Sequence, residues 1–113
     1  MTTIRAAVVQ DAPVAFTAAA TVTKVVGLIE SAAAQGAQVV VFPEAFIAGY
    51  PKGVDFGARV GMRSPEGRQA FQHYWEGAID VPGPVTHTLG ELARVHHLHL
   101  VIGVIERAGG TLY

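Results

Sequence analysis

The sequence predicts an α/β fold built around a parallel sheet, and three observations support this. Two short apolar runs, Ile4 to Gln10 and Gln38 to Phe42, have the composition of buried strands. The segment between them carries apolar residues at helical spacing. Strand, helix and strand follow one another within roughly forty residues, which is the βαβ unit of a parallel sheet.

The first helix is predicted from Thr17 to about Gln35. Thr17 is a residue type that caps helices, and Gly36 follows the last turn as a stop signal. Apolar side chains at helical spacing form one face of this helix: Val22, Val25, Val26, Ile29 and Ala33. The strand that follows contains three valines and a phenylalanine without alternation, so we expect it to be covered on both faces.

An irregular stretch runs from Pro43 to Arg63 and is rich in glycine. Loops of this length inside a compact domain usually serve a function. Ser64-Pro65-Glu66 then has the pattern of a helix start, with a cap, a proline at the first helical position and an acid in the first turn. The predicted helix places four apolar residues on one side: Phe71, Tyr74, Trp75 and Ala78.

The remaining segments predict a helix, a strand and the start of a hairpin. Pro82-Gly83-Pro84 opens the helix, and Leu98 to Ile105 is a third apolar run of strand character. Gly109-Gly110 is typical of a hairpin turn, and Thr111 to Tyr113 starts the returning strand. A strand with no continuation predicts that residues 1–113 are the N-terminal part of a single domain that is incomplete at its C-terminus.

Composition excludes several classes of function. The chain has eight basic and nine acidic residues and no run of like charges, which argues against nucleic-acid binding. The longest apolar stretch, Leu98 to Ile105, is too short for a membrane span, and the N-terminus makes a poor signal peptide. The absence of cysteine excludes disulfides, thiolate metal sites and a cysteine nucleophile within these 113 residues. A hydrophobic content of 50% predicts apolar surface that contacts polypeptide outside this chain.

Glu44 is the most informative candidate for chemistry. It follows the second apolar strand, behind a proline that ends the strand, and ligands of open α/β sheets bind at this end of the strands. The neighbours Ala45, Phe46 and Ile47 predict apolar surroundings, which suit a general acid or base. Position alone also allows a structural role, in which Glu44 caps a turn or pairs with an arginine such as Arg5.

Two other groups of residues favour structural interpretations. His96, His97 and His99 lie close together, but no further ligand lies nearby in sequence, and imidazoles also suit the end of a helix. Lys52 follows Gly49-Tyr50-Pro51 within the loop and could reach back towards Glu44, but a solvated loop lysine is the commoner case. No metal site is expected.

The stretch from Val40 to Pro51, VVFPEAFIAGYP, resembles the glutamate motif of the nitrilase branch of the carbon–nitrogen hydrolases. Arg5 to Gln10, Phe56 to Gly61 and Val81 to Pro84 are similar to the same branch, and the likeness extends to Thr111–Tyr113. The resemblance therefore covers essentially the whole chain and favours hydrolysis of a nitrile.

The resemblance implies a four-layer αββα sandwich, of which this chain would be a part. It implies a Glu-Lys-Cys triad without metal or cofactor, in which Glu44 is the general base. The cysteine and lysine belong to family segments downstream of Tyr113, and Lys52 lies outside the matching motif. A small nitrile would be converted to a carboxylic acid and ammonia through a thioimidate and a thioester. Tyr50, on the loop that carries Glu44, is the candidate for lining the substrate pocket.

The resemblance also implies homo-oligomers, as dimers or longer spirals, and the need for a free thiol fits a cytoplasmic protein. Two alternatives stay open. The substrate would be an amide or cyanide if the chain belongs to another member of the superfamily. The chain would be a non-catalytic assembly or binding piece if it is a truncated relative that docks on full-length subunits.

Overall fold

The computed structural model describes residues 1–58 and 63–113 of the chain. Three parallel strands form one sheet: Ala6–Val8 (β1), Val39–Val41 (β2) and His99–Val101 (β3). The central strand is β2, and Val41 pairs with Val8 on one side and with Val101 on the other. The predicted βαβ unit and its parallel sheet are confirmed.

Within the described residues, three helices connect the strands. Ala18–Ala34 (α1) joins β1 to β2, whereas Pro65–Gly77 (α2) and Pro84–Val95 (α3) lie between β2 and β3. A short antiparallel hairpin follows, formed by Arg107–Ala108 (β4) and Thr111–Leu112 (β5). The described part of the chain therefore contains every predicted element in the predicted order, although the strands are shorter than the apolar runs.

The core lies between one face of the sheet and helices α1 and α3. It includes Val25 and Ile29 of α1, Val40 of β2 and Leu89 of α3, all of them buried. The buried residues of α1 are Thr21, Val25, Ile29 and Ala32. The predicted face was therefore correct at its centre, but its flanking positions are only partly buried, because the packing of the helix decides which side of an apolar stripe turns inward.

The opposite face of the sheet is open. Successive side chains of a strand point to opposite faces, so Val8, Val41 and Val101 lie on the side away from Val40. Val8 is 74% exposed and Val101 is 55% exposed, while Val41 is half-buried. The expectation that β2 is covered on both faces is therefore wrong for the described residues, since only one of its two sides meets helices.

Helix α2 is anchored at its start and along one side. The Ser64 hydroxyl accepts a hydrogen bond from the Gly67 backbone N–H at 3.0 Å, as its predicted role as a cap requires. Phe56 stacks on Tyr74 with ring centroids 5.5 Å apart, and Phe16 meets the same ring edge-on at 5.8 Å. These rings attach the loop after β2 to α2. The predicted loop includes residues 59–62, and the motif Phe56 to Gly61 includes three of them; residues 59–62 lie outside the described residues.

Candidate active site

Glu44 lies in a turn that interrupts the parallel ladder between β2 and β3. Val41 pairs with Val101, and the next bridge along the same two segments joins Ile47 to Val104. Ile47 comes six positions after Val41, whereas Val104 comes only three positions after Val101. The three extra residues form the turn around Glu44, which leaves the sheet at the carboxyl end of β2. That end is where the sequence predicts a functional group.

Backbone hydrogen bonds fix the turn on both sides. Before it, the Phe42 N–H donates to the Val101 carbonyl oxygen at 2.9 Å. After it, the Ile47 N–H donates to the Gly103 carbonyl oxygen at 3.1 Å, and the Ile105 N–H donates to the Ile47 carbonyl oxygen, also at 3.1 Å. Glu44 is thus held by its neighbours in the sheet, although it belongs to an irregular segment.

The backbone of this turn is strained. Ala45 has a φ of 47° and Ala48 a φ of 86°, in the left-handed region that residues with a Cβ seldom adopt. The Gly49 N–H closes the turn by donating to the Ala45 carbonyl oxygen at 2.9 Å. Strain of this kind persists where the surrounding structure holds it, and it is concentrated at functional sites.

The side chain of Glu44 stands apart from the apolar residues that follow it. Ala45, Phe46, Ile47 and Ala48 are all buried, and they anchor the turn in the core. Glu44 itself is exposed. The expectation of an apolar environment for the carboxylate is therefore wrong for the described residues, because the apolar side chains point into the core and not toward the carboxylate.

Tyr50 lies on the same loop and is 64% exposed. Burial raises the pKa of the nearby Tyr74 hydroxyl, and the charge of an ionised Tyr50 raises it further. Tyr50 thus presents an aromatic ring to solvent beside the ring cluster of Phe16, Phe56 and Tyr74. Its role in binding substrate stays a prediction.

The remaining candidates belong to segments outside this turn. Lys52 is exposed, and its backbone N–H donates to the Tyr50 carbonyl oxygen at 2.9 Å. His96 is the C-terminal cap residue of α3 and His97 follows it, which agrees with the interpretation of these two imidazoles as helix-end residues, whereas His99 begins β3. Among residues 1–58 and 63–113, no group of three potential ligands is arranged to hold a metal ion. No helix in the same ranges is long and apolar enough to cross a membrane.

The chain is similar to known proteins along nearly its whole length. The model of the carbon–nitrogen hydrolase family matches residues 5–113. An aliphatic nitrilase of Sinorhizobium fredii (strain HH103) is 58% identical over 113 residues, which is 100% of this chain and 37% of the relative. A nitrilase of Bradyrhizobium diazoefficiens is 54% identical over 98% of this chain and 35% of the relative. A bifunctional nitrilase/nitrile hydratase of Lupinus angustifolius is 49% identical over 99% of this chain and 32% of the relative.

The chain therefore belongs to the carbon–nitrogen hydrolase family. Within that family, its similarity to these relatives assigns it to the nitrilase branch, as the motif around Glu44 predicts. The chain spans about a third of the length of the curated relatives it matches.

Proposed function

We propose that the full-length protein containing this chain is a nitrilase, which converts a small nitrile and two water molecules into a carboxylic acid and ammonia. Glu44 is the general base. The observation that carries this proposal is the placement of an exposed carboxylate on a turn anchored at the carboxyl end of the central strand. Identity of 46–58% to nitrilases across 98–100% of the chain supports the same reaction.

The proposed reaction uses a cysteine as nucleophile, and this cysteine and the lysine of the triad lie outside these 113 residues. Glu44 accepts the thiol proton, the thiolate attacks the nitrile carbon, and the proton then passes from Glu44 to the nitrile nitrogen, which gives a thioimidate. The Glu44 carboxylate then accepts a proton from a first water molecule, whose oxygen adds to the thioimidate carbon, and returns this proton to the nitrogen. The nitrogen takes the proton of the new hydroxyl group as the carbon–nitrogen bond breaks, so ammonia leaves and a thioester remains. A second water molecule opens the resulting thioester and releases the acid, so the thiol is restored.

The anchored turn suits this role because a general base must stay within hydrogen-bond reach of each proton that it accepts. Groups held by strands keep their positions better than groups on free loops. We also propose that Tyr50 lines the substrate pocket, since it exposes an aromatic ring six residues after the base.

The resemblance to nitrilases supports three further proposals. Residues 1–113 form the N-terminal part of a single αββα domain, the full-length protein assembles as a dimer or spiral of identical subunits, and it works in the cytoplasm. A cytoplasmic location fits a mechanism that depends on a free thiol, because thiols stay reduced in that compartment.

Replacement of Glu44 by glutamine tests the role of the base. Glutamine keeps the size of the side chain but accepts no proton, so we expect kcat/KM for nitrile hydrolysis by the full-length protein to fall by about 10²–10⁴-fold or more. Ammonia release is the measurement. Glu30→Gln, at an exposed position of α1, is the matched control and should leave the rate unchanged. Near-normal turnover by Glu44→Gln would contradict the role of Glu44.

A substrate and product panel separates nitrile hydrolysis from the alternatives. Nitriles, the corresponding amides and cyanide are supplied separately, and the acid, the amide and ammonia are quantified. Acid and ammonia in equal amounts from nitriles support the proposal. Amide as the main product would indicate a nitrile hydratase activity, which is the second activity in the name of the Lupinus angustifolius relative. Hydrolysis of amides alone would move the assignment to an amidase.

A further inference from the structure

Gly103 lies against the turn that carries Glu44. The segment after β3 passes beneath this turn, and the Gly103 carbonyl oxygen accepts the hydrogen bond of the Ile47 N–H at 3.1 Å. Gly103 is also the single glycine in the apolar run Leu98 to Ile105. A lone glycine in a strand often marks a close approach of another backbone.

The approach is too close for any other residue. A Cβ atom at position 103 would lie 2.9 Å from both the Cα and the carbonyl carbon of Glu44, and it would overlap the amide nitrogen of Ala45. All three atoms belong to the backbone, so no flexible side chain can move aside. Gly103 does not have a positive φ. Glycine is therefore required here for space and not for backbone conformation.

We propose that Gly103 is a positioning residue for Glu44, a role that rests on the proposed function of Glu44 as the general base. The missing side chain lets the Glu44 backbone lie directly on the segment after β3. Any side chain at position 103 would push the Glu44 Cα, and the carboxylate with it, outward from the sheet. A displacement of about 1 Å at a reacting group costs about a hundredfold in rate.

The test is Gly103→Ala in the full-length protein, with kcat and KM measured on a nitrile substrate. We expect kcat to fall by at least about tenfold, while KM changes less than about threefold, because the proton acceptor moves and the rest of the pocket stays. We also expect the pH profile of kcat to change, because proton transfer to the displaced carboxylate then limits the rate.

Two other glycines supply matched controls. At Gly83 a Cβ would lie 2.6 Å from the Asp80 carbonyl oxygen, so Gly83→Ala introduces similar crowding next to a different residue. At Gly90, on the exposed side of α3, a Cβ would meet nothing within 4 Å. Both variants should keep the kcat and pH profile of the unmodified protein, even where Gly83→Ala lowers the melting temperature. A Gly103→Ala protein that loses stability as Gly83→Ala does, but keeps its kcat and pH profile, would overturn the proposal.

A second variant keeps the test decisive if Gly103→Ala does not fold. Ala45 has a positive φ, so Gly103→Ala/Ala45→Gly lets residue 45 follow the displaced backbone with less strain. We expect this double variant to fold with a low kcat, and a folded double variant with normal kcat would refute the role of Gly103. Glu44→Gln, assayed in parallel, separates the two claims, because only its retained activity would argue against the base itself.

Discussion

At the scale of single residues, the hydroxyl of Thr21 fixes the segment between β1 and α1. Thr21 is fully buried, its Oγ1 accepts a hydrogen bond from the Val14 N–H at 3.1 Å, and it donates one to the Val14 carbonyl oxygen at 2.9 Å. The apolar periodicity of α1 could not predict this residue, because a hydrophobic pattern counts only apolar positions. A polar residue on the inward face becomes informative only once its partner, seven residues earlier, is known.

Thr21→Val removes both hydrogen bonds and keeps the shape of the side chain. The Val14 carbonyl oxygen keeps a bond from the Thr17 N–H, but the Val14 N–H loses its partner. We expect the free energy of unfolding to fall by about 1–2 kcal/mol in urea denaturation of the full-length protein. Thr23→Val is the control, since the Thr23 hydroxyl is exposed and bonds only within its own helix, to Ala19. A Thr21→Val protein as stable as this control would show that the Thr21 hydrogen bonds contribute nothing to the free energy of unfolding.

The candidate site was only partly accessible to sequence reasoning at this scale. Glu44 could be predicted because a charged residue directly after an apolar strand stands out. Its exposure could not be predicted, since this depends on which way the turn leaves the sheet. A lone glycine in an apolar run, as at Gly103, indicates that another backbone segment approaches closely. That segment lies about sixty residues earlier, and the sequence alone could not identify it.

At the scale of elements, α1 and α2 are each preceded by a residue type that commonly caps helices, Thr17 and Ser64. Only one of the two side chains forms a capping hydrogen bond. The Ser64 hydroxyl bonds the Gly67 N–H, whereas Thr17 precedes α1 without a side-chain cap. The Thr17 hydroxyl donates instead to the Ala15 carbonyl oxygen at 3.3 Å. Residue type predicts where a helix starts, but the local backbone decides which way the hydroxyl points.

Substitution of the two cap residues should reveal this difference. Ser64→Ala leaves the Gly67 N–H without its partner, and we expect a loss of about 1 kcal/mol in the free energy of unfolding. Thr17→Ala removes no capping bond, so we expect a smaller loss. Chemical denaturation of both variants of the full-length protein measures the difference. Equal losses would mean that the observed Ser64 bond does not stabilise α2.

The order of elements was predictable, and the strand lengths were not. Periodicity distinguishes helices from strands, and it located the helices and the parallel strands of the part of the chain that the structure describes. The third strand was expected from Leu98 to Ile105, but β3 covers only His99–Val101 and the pairing resumes as a bridge at Val104. The break arises because the partner segment departs into the Glu44 turn at this point. A strand ends where the adjacent strand turns away and stops pairing with it. Its length therefore depends on the path of the adjacent segment and cannot be predicted from its own residues.

At the scale of the whole molecule, the chain exposes more surface than a compact protein of its size. Its accessible surface is 7412 Å², whereas a compact protein of 11.9 kDa exposes about 5,900 Å². Its radius of gyration is 16.3 Å, against about 13 Å for a compact chain of this length. The open face of the sheet, with Val8 and Val101 exposed, contributes apolar area to this excess. The high hydrophobic content of the sequence predicted such a surface but not its location.

Exposed apolar area of this kind promotes association. We expect the isolated 113-residue chain to self-associate as its concentration rises, as measured by light scattering. Val8→Thr/Val101→Thr keeps the β-branched shape of both residues and should reduce the association. A monomer at every concentration tested would show that the open face of the sheet does not mediate self-association.

The bridge that closes the Glu44 turn also limits how early in protein synthesis the turn can form. Val41 pairs with Val101 and Ile47 with Val104, so neither support of the turn can form until about sixty more residues have been synthesised. At roughly 5–20 residues per second, this takes about 3–12 seconds on the ribosome. Glu44 therefore leaves the translation machinery well before the segment that holds it, and the candidate base is among the last parts of this chain to be set in place.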